Sequence, residues 1–405
     1  KIRDRVGWKN YFSDCLVYFK TLPADLNKNT YILAIGSPKK IIPDTESRYA
    51  EQLKQLIKKN IYYQFFSRKN NFRIISKNSD DSSDKIQVIK SNILKLTANY
   101  IAGADERAIT EALLIGKTDG LPATLRNAYA ASGTMHVLAV SGLHVGIIYW
   151  ILLLILKPLS SFSQGRWLVA LISIFILWSY AALTGFSPSV LRAVAMFTFV
   201  AISNPFGLRS QIINTLAASF FILLIYDPGM ISNIGFQLSY LAVAGIIWIH
   251  PVLYKKFQPE NRILDYCWSI ISVSIAAQLT TFPLTVYYFH QFPVYFIPAN
   301  LIIIPLSFLI LLVGISLLVL GKITAVAALL GYIIQEAIGF MNLIARTFQT
   351  LPGQLPDDIQ LSTIQAFILM ALNLLIISII MYRKNLIMIP ALILAVIFAG
   401  IDFCS

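Results

Sequence analysis

The chain has 405 residues, of which 57% are hydrophobic and 13% charged, with a formal net charge of +13. No soluble globular domain of this size needs so much apolar surface, and a mean hydropathy of +0.67 argues against that class. Three scattered cysteines (Cys15, Cys267, Cys404) and four histidines without zinc-type spacing suggest neither a disulfide framework nor a metal site.

Residues 1–75 mix β-prone runs (Tyr11–Phe12, Leu16–Phe19, Tyr31–Ile35, Ile61–Phe66) with turn signals such as Gly36-Ser37-Pro38. They predict a small β-rich domain, incomplete in a chain that begins at Lys1 and reads as a fragment lacking its own N-terminus. Residues 1–107 hold 20 Lys/Arg against 11 Asp/Glu. Such a surface suits polyanions, nucleic acid or anionic lipid, or is a solvated lysine-rich face. Residues 76–85 read as a polar linker. Residues 86–131 read as amphipathic helices, broken by Gly116-Lys117-Thr118-Asp119-Gly120 before Leu121-Pro122.

Residues 132–405 form the membrane domain, with candidate spans at 135–156, 167–184, 188–203, 211–226, 233–250, 265–288, 296–320, 324–345, 363–382 and 386–402. The expected fold is therefore an α-helical polytopic membrane protein of about ten spans behind a small β-rich domain. The odd loops between spans are basic (Lys157/Arg166, Arg209, Lys255/Lys256/Arg262, Lys322, Arg383/Lys384). The even loops are neutral or hold acids, as at Asp227 and at Asp357/Asp358 beside Arg346. The positive-inside rule makes the odd loops cytoplasmic, with the N-terminal domain and the C-terminus both outside.

The segment Thr134–Gly146 carries His136, Ser141 and His144 at the start of an apolar run, where lipid-facing polar groups are costly. On a continuous helix Ala139, Gly142 and Gly146 share a small packing face, while His136, Ser141 and His144 share a polar one. Ser141 and His144, three apart, read as a catalytic dyad, as hydrogen-bond partners of neighbouring helices, or as lining of a polar path. In Thr184–Arg192, Gly185 ends one helix, Ser187 caps the next and Pro188 fits its first turn. Arg192 is then an intramembrane cation near a helix N-terminus, either an anion contact or a side chain snorkelling to the interface. Gln237, Gln278 and Asn300 fall in the same outer half of the membrane and predict a vestibule narrowing inward. Gly116-Lys117-Thr118 lacks the upstream glycine and the context of a phosphate-binding loop.

The string His136-Val-Leu-Ala-Val-Ser-Gly-Leu-His-Val-Gly146 resembles the signature of the ComEC family of competence proteins. So do Ala112–Lys117, Gly185–Ala193, Asp227-Pro228 with Gly235–Tyr240, and Gln278–Pro283, all in family order. Ile61–Gln64 is similar to the end of that family's external OB-fold domain. The resemblance implies a channel in the bacterial cytoplasmic membrane that imports single-stranded DNA during natural transformation. It implies no cofactor, no metal and no catalytic role. Implied partners are a DNA receptor, a cytoplasmic ATPase, single-strand DNA-binding proteins and a separate nuclease, unless strand degradation belongs to a missing part of the chain, because the histidine motif of many members' metallo-β-lactamase-like domain does not occur here.

On this reading His136, Ser141, His144, Arg192, Gln237, Gln278 and Asn300 line the DNA path, and Lys117 and Arg126 meet phosphates at the outer mouth. Gly142, Gly146, Gly185 and Pro188 set helix packing. Tyr62, Tyr63, Phe65 and Phe66, flanked by Lys58, Lys59, Arg68 and Lys69, would stack on bases or form the β-domain core. Two other classes stay open: a secondary transporter of a small anion using Arg192, and an intramembrane serine protease using Ser141.

Overall fold

The computed structural model describes seven strands between Ile2 and Lys77 and, nearly without interruption, residues 81–382. Most residues between the strands, residues 163, 209, 354–358 and 360, and residues 383–405 apart from 390, lie outside the described residues. The chain divides into two compact units, residues 1–88 and 89–405.

In the first unit the strands are β1 (Ile2–Asp4), β2 (Gly7–Lys9), β3 (Asp14–Phe19), β4 (Thr30–Ala34), β5 (Lys39–Lys40), β6 (Ile61–Ser67) and β7 (Phe72–Lys77). β1 pairs with β2, β4 with β7, and β6 with both β3 and β5. Alternating side-chain direction puts Phe65 and Phe66 on opposite faces of β6. Phe65 is buried, whereas Tyr63 and Phe66 are exposed. Phe66 stacks on Tyr18 of β3 with ring centroids 4.9 Å apart, in register across the parallel β3–β6 pair. The Tyr62 side chain and Lys58, Lys59, Arg68 and Lys69 lie outside the described residues. Among the described strands there are three separate sheets, and the OB-like reading of residues 1–75 remains an expectation.

The helices are α1 (Asp81–Tyr100), α2 (Ala104–Ile115), α3 (Ala123–Ala131), α4 (Met135–Leu138), α5 (Gly142–Leu156), α6 (Gly165–Leu183), α7 (Pro188–Ser203), α8 (Ile212–Tyr226), α9 (Ile234–Trp248), α10 (His250–Tyr254), α11 (Arg262–Phe289), α12 (Phe296–Leu320), α13 (Thr324–Thr350) and α14 (Thr363–Tyr382). Seven helical stretches among the described residues are long and apolar enough to cross a bilayer: 142–161, 165–183, 234–254, 262–289, 296–320, 324–350 and 363–381. This is a multi-pass membrane protein. At ~1.5 Å per residue the apolar helices α7 and α8 reach only ~22–24 Å, short of the ~30 Å hydrocarbon core. The expected span 386–402 lies outside the described residues.

Two expectations are corrected here. The described part of residues 76–85 is not a linker, because Ser76 and Lys77 end β7 and Asp81–Lys85 open α1. The amphipathic helices after it are not a separate region either. Ile101, Ile109, Leu113, Leu125 and Tyr129 are fully buried in one cluster with residues of α12 and α13. Glycines on the α12–α13 hairpin admit these neighbours: Leu114 lies against Gly314, Leu96 against Gly321 and Tyr100 against Gly331. Their apolar faces are therefore satisfied by the membrane helices themselves.

Candidate functional site

The polar signature segment is not one helix. α4 ends at Leu138, Ala139 and Ser141 are extended, and α5 starts only at Gly142. The helical wheel drawn across residues 136–146 therefore fails at this break, and His136 and Ala139 share no face with α5. Ser141 occupies the N-cap of α5, and its backbone N–H donates to His144 Nδ1 at 3.2 Å. Ser141 Oγ lies 3.0 Å from the same nitrogen. Ser and His three residues apart thus make a capping box with His in the place usually held by Glu. The geometry serves orphan N–H groups of the helix start. His144 is 2% exposed, and its Nε2 has no partner among the described residues.

A second break lies beside the first. Gly185 (φ 80°) and Phe186 (φ 54°) both adopt left-handed backbone between α6 and α7. Glycine takes that conformation without steric cost. Pro188 holds the first position of α7, as expected, but Ser187 makes no side-chain cap. Ser189 instead donates its hydroxyl to the Val140 carbonyl at 2.8 Å, tying the two breaks together. A third break joins them at Gly116, the left-handed residue ending α2. A Cβ there would lie 3.3 Å from both the Thr184 carbonyl and the Val140 side chain. Sequence reading missed the Gly116 and Ser189 contacts, although a glycine directly after a helix is a recognisable stop signal.

Arg192 sits under this junction, 6% exposed. Its Nη1 donates to the Ser239 carbonyl of α9, its charge lies 5.8 Å from the Tyr240 ring centroid, and its Nε has no partner among the described residues. The expected glycine face is present. Gly142 and Gly146 both turn to α7, where a Cβ on Gly142 would stand 2.8 Å from Arg192 Nη2 and one on Gly146 3.4 Å from the Phe197 ring.

The other expected path residues are dispersed. Gln237 donates to the Ile231 carbonyl. Asn300, 5% exposed, donates to Ser274 Oγ at 3.2 Å and joins α12 to α11. Gln278 lines an apolar cavity of about 540 Å³ whose walls include Phe282, Phe296 and Leu369 but none of the other path residues. His136 is exposed beyond the break. With His144, Arg192 and Asn300 buried, the described conformation does not present these residues on one open vestibule.

The outer-mouth cations are engaged as well. Lys117 pairs with Glu111 at 3.1 Å, Glu111 being nearly buried and also within 3.4 Å of Thr97 Oγ1. Arg126 donates to the Thr118 carbonyl. Among the described residues no cluster of three potential metal ligands occurs, and Cys15 and Cys267 are free thiols.

Loss of the Ser141 hydroxyl should cost a cap, about 1 kcal/mol, and no more, since the Ser141 backbone bond to His144 remains. Thermal unfolding of Ser141→Ala should fall by only a few degrees. A collapse of the fold would show that the hydroxyl does something beyond capping.

A family model described as "Competence protein" matches residues 113–386. The chain is 30% identical over 221 residues to ComE operon protein 3 of Bacillus subtilis, a match covering 55% of this chain and 27% of that one. It is 25% identical over 237 residues to Recombination protein 2 of Haemophilus influenzae, covering 56% and 30%. The matches thus span less than a third of these relatives' length. No solved structure matches.

Proposed function

Because the chain belongs to the competence protein family, we propose that it is the membrane core of a device importing single-stranded DNA across the bacterial cytoplasmic membrane. One observation supports this above the rest: three chain breaks, the N-terminus of α5 and the buried guanidinium of Arg192 converge inside a bundle of membrane-length helices. Broken helices expose backbone donors at membrane depth, and a helix N-terminus beside a cation attracts anionic groups. Passage of a polyanion needs such contacts to be weak and repeated rather than tight.

The described conformation is the closed one. Parting α7 from α9 releases Arg192 from the Ser239 carbonyl and turns it, with His144, toward the strand. The core carries no catalysis of its own. The motor, the DNA receptor and the cytoplasmic strand-binding proteins are separate partners. The basic odd loops face the cytoplasm, and the N-terminal domain lies outside. Thiol labelling of single cysteines placed at Lys256 and Ser232 tests that orientation. Labelling from outside at Lys256 and not at Ser232 reverses it.

In the N-terminal domain the exposed Tyr18–Phe66 pair, on a lysine-rich chain segment, offers a stacking platform for bases. Phe66→Ala should weaken binding of labelled single-stranded DNA about tenfold, the usual scale for one base–aromatic stack. Unchanged fluorescence anisotropy titrations would remove the platform from the path.

The decisive experiment is uptake of labelled single-stranded DNA by cells carrying Arg192→Met, Gly142→Leu or Ser141→Ala. Loss in the first two with retention in the third fits the channel. Normal uptake in both of the first two ends the assignment. The Ser141–Nδ1 contact gives an intramembrane protease its one supporting observation, and loss of function in Ser141→Ala with normal folding would favour that reading instead.

A further inference from the structure

The turn Lys157–Ser161 that follows α5 folds straight back onto the start of α6. Glycine at residue 165 permits this, because a Cβ there would fall on the Leu159 carbonyl. On the other side the turn after α7 closes at Gly207, whose left-handed backbone (φ 68°) lets Gly207 and Leu208 donate to the Asn204 and Ser203 carbonyls. Between the two turns lies a hollow of about 350 Å³, walled by Ser160, Arg166, Val169, Asn204, Gly207 and Leu208. It sits at the opposite ends of α5, α6 and α7 from the junction of chain breaks.

The walls have the chemistry of an anion site. Arg166 and Asn204 are exposed, and among the described residues neither side chain bonds to protein. α6 packs chiefly against α5, α7 and the Lys157–Ser161 turn. No Asp or Glu occurs between Asp119 and Asp227, so none of these elements can neutralise Arg166. Ser160 donates its hydroxyl to the Lys157 carbonyl at 2.6 Å, which leaves its oxygen as an acceptor. The position of the hollow says what the anion is attached to. The apolar stretches 142–161 and 165–183 both terminate here, at the level where hydrocarbon gives way to lipid headgroups. Trp167 and Phe206, chain neighbours of Arg166 and Gly207, meet edge to face with ring centroids 5.0 Å apart. Both rings are exposed, as is Leu208. Exposed aromatic rings at a bilayer boundary belong among headgroups, and a free anion would leave this apolar margin uncovered.

We propose that this hollow holds the headgroup of an anionic phospholipid. Arg166 takes the phosphate through paired N–H donors. The Asn204 amide donates to a further phosphate oxygen, and Ser160 Oγ accepts from a headgroup hydroxyl. Trp167, Phe206 and Leu208 cover the first carbons of the acyl chains. A zwitterionic headgroup brings an ammonium beside its phosphate, which Arg166 repels. The bound lipid ties the end of α5 to the end of α7. The inference goes beyond DNA import and needs only the membrane fold.

The test is fluorescence anisotropy of tail-labelled phosphatidylglycerol on the full chain in a neutral detergent, with unlabelled competitors. Phosphatidylglycerol should compete about tenfold more strongly than phosphatidylcholine, the scale of one hydrogen-bonded charge contact. Arg166→Gln, at an exposed residue, should bring that ratio to about one. Lys157→Gln removes an exposed cation of the same turn that does not line the hollow, and should keep most of the preference. Equal loss in the two variants would make the preference general surface charge and overturn the site. Absence of any preference in the unaltered chain overturns it too. Displacement of the labelled lipid by inorganic phosphate or by oligo(dT) as effectively as by phosphatidylglycerol would assign the hollow to a free anion or to nucleic acid instead. None of these outcomes bears on DNA import.

Discussion

Arg192→Met should cut DNA uptake by about 100-fold or more, yet leave the melting temperature unchanged or raised, because a buried cation without a carboxylate is itself destabilising. Arg192 is 6% exposed and bonds to a backbone carbonyl. Among the described residues no carboxylate pairs with it. The Tyr240 ring face offsets only part of the desolvation cost, on the order of 1–2 kcal/mol. Met fills a similar volume with no charge to desolvate. A residue that costs stability and is needed for uptake is held for function. Arg192→Lys should recover little, because an ammonium reaches one acceptor where the guanidinium spans both α9 and the approach to Gly142. The paired readout is thermal unfolding in detergent alongside uptake in cells. A strong drop in melting temperature would reduce Arg192 to a packing element.

Gly142→Leu should abolish uptake for a different reason, and with a stability loss of about 1–3 kcal/mol by overpacking. The added Cβ alone stands 2.8 Å from Arg192 Nη2 and 3.6 Å from Ala193 Cβ, so α5 must move off α7 or Arg192 must leave its site. The same helix provides its own control. At Gly146 a Cβ meets the Phe197 ring at 3.4 Å, ordinary van der Waals contact, so Gly146→Ala should be close to neutral or slightly stabilising through helix propensity. Equal tolerance at both positions, read as melting temperature and uptake together, would mean that the α5–α7 contact is not tight.

Much of the fold was legible in the chain. The apolar runs predict the membrane helices because length and hydropathy are local properties that every span must satisfy. The breaks at Gly116 and Gly185 were visible for a similar reason, since glycine marks left-handed backbone. The site was less legible. The wheel over residues 136–146 assumed a continuous helix, and nothing in His136–Ser141 signals the extended turn at Ala139 and Ser141. Once that turn is present, Ser141 and His144 close a capping box at the start of α5. The buried polar pairs Tyr129–Asn342 and Thr97–Glu111 join residues 213 and 14 positions apart, and no periodicity links them.

By itself, the sequence determined that this is a membrane protein, where its long apolar helices run, where glycines demand turns, and which family it belongs to. These follow from composition, local backbone preference and motif order. Only the tertiary structure decided what each polar group faces. It brought residues 116, 140, 184 and 189 to one junction, buried Arg192 against α9, and sent Gln278 to a separate apolar cavity. The physical reason is that a polar group in a membrane bundle must find its partner across helices. Which helices meet is set by the packing of side chains far apart in the chain, and no local pattern records it.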